Sequence, residues 1–198
     1  MTAAPMMILG LDVGFATLGW ARAEVVGANA VRLQGLGLVT TAPGEAHRLK
    51  SEDNVARARA LTRCLRLLIC GQQLGAIAVE SQSWPRNAGA VAKVAMAWGI
   101  VAALAEIEQV ALVHRTPQEI KRYAAGRRDA SKIEVLAGMC CRPGFSELER
   151  MLADAGCPVR RKPDGTPRDG KWEHPVDAAA AIYAALDTEI VRALRRST

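Results

Sequence analysis

Two periods of hydrophobic and polar residues alternate along the chain, and the switches between them mark out its elements. Residues 6–13 are a nearly continuous apolar run closed by Gly14, the pattern of a strand buried on both faces. Residues 17–26 and 30–40 read as two further strands joined by a turn at Gly27-Ala28-Asn29, which predicts a three-strand meander. Over 51–70 the side chains Val55, Ala58, Leu61, Leu65 and Leu68 recur at helical spacing, with Arg57, Arg59, Arg63 and Arg66 between them. That spacing predicts an amphipathic helix with a basic outer face. A short apolar strand at 76–79 ends on Glu80, a small-residue helix follows over 89–107, and 110–114 reads as a fifth strand.

Helix punctuation organises the second half. Thr116-Pro117-Gln118-Glu119 supplies an N-cap, a proline at the first helical position and a capping-box acid, so a helix begins there and ends at Gly126. Ser131 opens another that ends near Arg142-Pro143-Gly144, and 145–155 reads as one more. Residues 156–173 are rich in proline, glycine and charge and are expected to be a flexible loop. His174-Pro175 opens the last helix, expected to run to about Arg195. Strands thus precede helices, with antiparallel pairing first and crossover helices afterwards. The expectation is one α/β domain over 1–198: a five-stranded mixed sheet, three antiparallel strands then two parallel, helices on both faces, and a basic loop insertion at about 157–173.

Composition narrows the class. A chain of 198 residues with 50% hydrophobic content can bury a core and is not disordered. No stretch approaches the ~20 apolar residues of a membrane span, and the N-terminal run lacks a basic segment and reaches Asp12 too early for a signal peptide. A soluble intracellular protein with no membrane partner is expected. Five cysteines, an odd number without C-x-x-C spacing, suit reduced thiols. The 26 Lys+Arg exceed 20 Asp+Glu, for a net charge of +6, which favours an anionic partner such as nucleic acid, although a solvated basic surface gives the same excess.

Two strands end on an acid, Asp12 in GLDVG and Glu80 in AVES, where ligand sites collect in such sheets. Either could be an ordinary strand-end acid facing water. His174 and Asp177 stand three apart at the start of the last helix and so share a face. Helix capping explains either of them, but not their coincidence with two strand-end acids. If that face meets Asp12 and Glu80, three carboxylates and an imidazole surround one point and suit a hard divalent cation. Arg115, Lys121, Arg122, Arg127, Arg128 and Lys132 form the densest basic region outside the final loop, a surface for phosphates or a solvated helix face.

Four blocks in order resemble the RuvC family of Holliday-junction resolvases. ILGLDVGFATLGWA resembles the first, with Val13 where proline is usual; AIAVESQSWPRNAGAVAKVAMAWG resembles the second, with Glu80, Asn87 and Gly99 in place. TPQEIKRYAAGRRDASKIEV resembles the third through Lys121 and Lys132, and HPVDAAAAIYAAL resembles the terminal helix of members that carry histidine three residues before the last aspartate.

The resemblance implies a ribonuclease H-like fold, a homodimer with residues 89–107 as a possible interface, and metal-dependent cutting of four-way DNA by paired symmetrical nicks. Asp12, Glu80, His174 and Asp177 would hold a pair of Mg²⁺ ions, with Mn²⁺ able to substitute. Lys121 and Lys132 would act at the scissile phosphate. Trp84, Arg86 and Asn87 fall in the DNA-facing loop, with Trp84 the candidate wedge at the junction centre, although Ser83 occupies the stricter match. Arg160, Arg161, Lys162, Arg168 and Lys171, in a connection longer than usual, could touch a junction arm. Other readings of the same residues are a nuclease for other branched DNA or structured RNA, or a non-catalytic junction-binding module.

Overall fold

The computed structural model of the protein describes residues 5–27, 30–44, 49–71, 73–81 and 87–197. Trp84 and Arg86 lie outside the described residues. The strands are β1 (Met7–Asp12), β2 (Thr17–Gly27), β3 (Ala30–Thr40), β4 (Leu74–Glu80) and β5 (Ala111–Arg115). They form one sheet in the order β3-β2-β1-β4-β5. Pairing is antiparallel from β3 to β1 and parallel from β1 through β4 to β5, the mixed topology that the sequence predicts.

The pleat of β1 and β4 sorts their side chains between two cores. Ile8, Ala76 and Ala78 face the helices that follow β5: α3 (Pro117–Ala125), α4 (Lys132–Cys140), α5 (Leu148–Asp154), α6 (Glu173–Ala185) and α7 (Glu189–Ser197). Leu9, Leu11, Ile77 and Val79 face α1 (Lys50–Ile69) and α2 (Ala88–Ile107), meeting Leu61, Leu65, Ala97 and Val101. Each large aliphatic side chain so removed from water contributes about 1.5–3 kcal/mol. The caps follow their local chemistry: Thr116 with Glu119, and Ser131 with Glu134, each close a capping box, which satisfies amides left free at a helix start.

Several expectations are corrected. Arg57 is not on the outer face of α1; it is buried, with its guanidinium donating to Thr41 and stacked 4.8 Å from the Phe15 ring. Val55, expected inside, is exposed instead, because the buried stripe runs through Arg57, Leu61, Leu65 and Ile69.

The last helix is two helices. At the break Thr188 donates to the Ala185 carbonyl and accepts from the Val191 amide, so it ends α6 and caps α7. The segment expected to be a flexible loop is folded back on itself by Lys162–Thr166 and Arg168–Arg160 backbone bonds of 2.8 Å and anchored by the buried ring of Trp172.

Finally, α2 is by length and composition apolar enough to cross a membrane, contrary to the expectation that no stretch is. Lys93 and Glu106 conceal this in the sequence. Its position settles its role here: it connects β4 to β5 and packs Ala97, Val101, Leu104 and Ala105 inward, as a crossover helix does.

Candidate active site

Strand parity brings the two strand-end acids together. β1 and β4 run parallel, with Gly10 beside Ala78 and Leu11 beside Val79, so Asp12 and Glu80 close the same end of neighbouring strands. Both continue the pleat of Ile8 and Ala78, on the side that α6 covers. α6 itself can lie against the sheet because the strands beneath it carry glycine. A Cβ on Gly10 would stand 2.0 Å from the Ala178 carbonyl oxygen, and one on Gly19 would stand 2.3 Å from the His174 backbone. Since Gly19 pairs directly with Asp12, the helix start comes down beside that aspartate.

The result is that Nδ1 of His174 lies 2.6 Å from Oδ2 of Asp12. One turn further along α6, Asp177 is buried and receives a hydrogen bond from the ammonium of Lys132 at the start of α4. Residues from four elements thereby meet at the carboxyl end of the parallel strands, where ligands bind in open α/β sheets.

The electrostatics record the crowding. Burial, and then the charges of Asp177 and Asp12, push the Glu80 carboxyl up to about 7. Burial pushes Asp177 up to about 6, with Asp12 adding to the shift and Lys132 opposing it. The bond to Asp12 holds His174 above the ordinary imidazole value against the effect of burial. Burial works against the charge of Lys132, but Asp177, Glu80 and Asp12 outweigh it and raise its pKa. Such clustered shifts are characteristic of functional sites.

The donor set fits a divalent cation. Carboxylate oxygens and an imidazole suit Mg²⁺ and Mn²⁺, and a cation bound here would offset both the burial and the repulsion from Asp177 and Asp12 that raise Glu80. The four do not converge on one point as the sequence suggests: among the described residues no three His, Cys, Asp or Glu groups gather closely enough to hold an ion. The physical reason lies in the pairing. Asp12 is hydrogen-bonded to His174 and Asp177 is paired with the Lys132 ammonium, so two of the three acids already have a partner.

The basic residues divide into those whose charge reaches these acids and those that pair elsewhere. Lys132 touches Asp177, and Lys121 is near enough to Glu80 to favour its charged form. Arg115, expected on the DNA surface, instead donates to the Ala184 carbonyl and pairs with Glu119 at 3.0 Å. Arg127 is likewise engaged, with Asp129 and Glu134. Asn87 caps α2 by accepting from the Ala90 amide at 2.9 Å. Arg122 lies over the Tyr123 ring and, like Arg128, is exposed.

Two features escape the sequence reading. Gly10 and Gly19 set the height of α6, and their signal is a glycine two residues before Asp12 and another opposite it. Arg57 ties Thr41, which itself donates to the Phe15 carbonyl at 2.7 Å. That chain of bonds pins the turn immediately after Asp12, and no local pattern announces it.

Comparison with known proteins agrees with this geometry. The crossover junction endodeoxyribonuclease RuvC of Cytophaga hutchinsonii is 25% identical over 174 residues, which cover 85% of this chain and 83% of that protein. The RuvC of Pseudothermotoga lettingae is 31% identical over 131 residues, 66% of this chain and 75% of that one. The structure of T. thermophilus RuvC in complex with Holliday junction substrate shares the fold, with a TM-score of 0.64 at 24% identity over 90% of this chain and 92% of that one. A family model for crossover junction endodeoxyribonuclease RuvC matches residues 8–141, a span that ends before α6. On that match, over more than half its length, the chain belongs to the RuvC family.

Proposed function

We propose that this chain, folded as one domain, is a divalent-metal-dependent endonuclease that resolves four-way DNA junctions by paired symmetrical nicks. The observation that carries the reading is the juxtaposition of Asp12, Glu80, His174 and Asp177 at the carboxyl end of the parallel strands, with Lys132 against Asp177. Asp12, Glu80 and Asp177 would offer carboxylate oxygens, and His174 an imidazole nitrogen, to a pair of divalent ions, Mg²⁺ with Mn²⁺ able to substitute, which would supply an activated water and stabilisation of the leaving oxygen. Asp12 orients His174 through the bond at Nδ1 and favours its protonated form. Lys132 and Lys121 neutralise the phosphate at the cut, Lys132 leaving Asp177 as it does so.

Two symmetrical nicks need two sites, and the outer side of α2 supports a homodimer. Between α1 and α2 runs an apolar groove of about 340 Å³ lined by Ala58, Thr62, Met96, Gly99, Ile100 and Ile107, with Ile107 largely exposed. A second copy covering this face would remove apolar surface from water. The reading places the protein in the cytoplasm with its DNA.

The test is cleavage of a synthetic mobile four-way junction in Mg²⁺ and in Mn²⁺, with cuts mapped on both strands and compared on three-way and linear DNA. Symmetrical cuts restricted to the four-way substrate are expected. Asp12→Asn should still bind the junction but lose cleavage by roughly 10³-fold or more, since metal stabilisation of the transition state is worth several kcal/mol. Undiminished cutting by that variant rejects the reading.

A further inference from the structure

The segment between α5 and α6 carries a concentration of charge that the site above leaves unused. Within it Arg161 is satisfied by both carboxylate oxygens of Glu149, each at 2.7 Å. Arg160, Lys162, Arg168 and Lys171 are exposed and form no side-chain hydrogen bond or ion pair with the described residues. Arg160, Arg168 and Lys171 line one concavity of about 480 Å³, with Cys157 and Trp172 in its wall and Asp169 on its rim. The three cations against one acid leave the hollow net positive.

Its shape is held rather than loose. The Trp172 ring is buried and its Nε1–H donates to the Arg168 carbonyl at 2.7 Å, while the Arg168 amide donates to the Arg160 carbonyl at 2.8 Å. The Gly170 amide donates to Glu173 at 2.8 Å, which joins the hollow to the first residue of α6. Lys171 is therefore three residues from His174, and the hollow flanks the active site as a continuation of the helix that carries two of its groups. Unpaired cations carried around one hollow on a held backbone suit the phosphates of a nucleic-acid backbone, which need charge and position but no base readout.

We propose that Arg160, Arg168 and Lys171 form a second DNA-binding surface, gripping the phosphates of a duplex arm outside the cut site. This rests on the junction-nuclease reading. The experiment measures binding of a synthetic four-way junction and of a linear duplex, in Ca²⁺ to hold off cleavage, across a range of NaCl concentrations. For the combined Arg160→Ala, Arg168→Ala, Lys171→Ala variant, the plot of log affinity against log salt should be shallower by about 2–3, at roughly 0.9 for each phosphate no longer neutralised. Lys171→Ala alone should flatten it by about 0.9, and replacing both arginines by lysine should restore most of the wild-type slope. Arg150→Ala, whose charge is already spent on Glu147 and Asp154, should leave it unchanged. A triple variant with the wild-type slope overturns the proposal, as does flattening by Arg150→Ala of the same size. If the wild type binds junction and linear duplex equally, the junction reading fails, and the slopes on linear duplex still decide this one.

Discussion

The two faces of the sheet solve different problems. On one, α6 is drawn so close that its backbone occupies the space where Gly10 and Gly19 would otherwise carry side chains. Ten of its thirteen residues are buried, and most of those are alanine. On the other, α2 buries only Ala97, Val101, Leu104 and Ala105, and Gly99 faces open space. The close face fixes the positions of His174 and Asp177 to within hydrogen-bonding distance of their partners, which chemistry at a phosphate requires. The sparse face leaves apolar surface uncovered, with Ile107 largely exposed. Small side chains therefore have different consequences: on β1, β2 and α6 they bring backbones together, and on α2 they leave an open apolar groove against α1.

The largest break in this contrast should come from the close face. Gly10→Val introduces methyl groups where even a Cβ meets a carbonyl oxygen at 2.0 Å, so α6 must lift or β1 must shift. A loss of about 3 kcal/mol or more is expected in urea unfolding, at or beyond the usual 1–3 kcal/mol of overpacking, with cleavage falling alongside as His174 leaves Asp12. A variant that melts and cuts like wild type would mean that the close approach does not set the site.

A smaller effect should separate the site's electrostatics from its packing. Glu80 titrates at about 7 in the folded protein against 4.5 ordinarily, so between those values the folded state keeps a proton that the unfolded chain has released. Stability of the protein in EDTA must then fall as pH rises from about 4.5 to 7. Asp177, raised to about 6, and His174, raised by Asp12, act in the same direction. Glu80→Gln should flatten this fall by about 1–2 kcal/mol after solvent screening, measured as urea midpoints at pH 5 and pH 7.5. Equal slopes for the two proteins would show that the Glu80 charge is accommodated without cost.

The smallest effect belongs to the sparse face. Gly99→Ala meets nothing within 4 Å and should raise helix stability by roughly 0.5–1 kcal/mol. Thermal melting of dilute protein checks this, and destabilisation there would mean that α2 is as tightly constrained as α6.

Much of the fold was legible because it depends on neighbours in sequence. Thr116-Pro117-Gln118-Glu119 states its own helix start, since the capping box closes within four residues. The strand-end positions of Asp12 and Glu80 follow from where their apolar runs stop. The errors occurred where a local pattern was outvoted by distant partners. Arg57 looked like an outer-face arginine until Thr41 and Phe15 gave its charge an interior role. Residues 156–173 read as a flexible loop because glycine, proline and charged residues make up most of them, and Trp172, whose burial holds the segment, is a single residue in eighteen. The break at Thr188 was written in an N-cap threonine ahead of Glu189, but the apolar periodicity on both sides masked it.

The order of strands and helices, the helix starts, and the four blocks that mark the RuvC family follow from local sequence, because periodicity and capping are properties of neighbouring residues. Which groups meet is a matter of the folded chain. Asp12 and His174 stand 162 positions apart, and their meeting depends on Gly19 lying opposite Asp12 in the sheet and on α6 settling against that glycine. Pairing Asp177 with Lys132 depended likewise on α4 packing against α6, which gives one of the site's acids a cation from the chain itself. Such pairings are fixed by sheet register and by how closely backbones can approach, and neither is a property of any one stretch of chain.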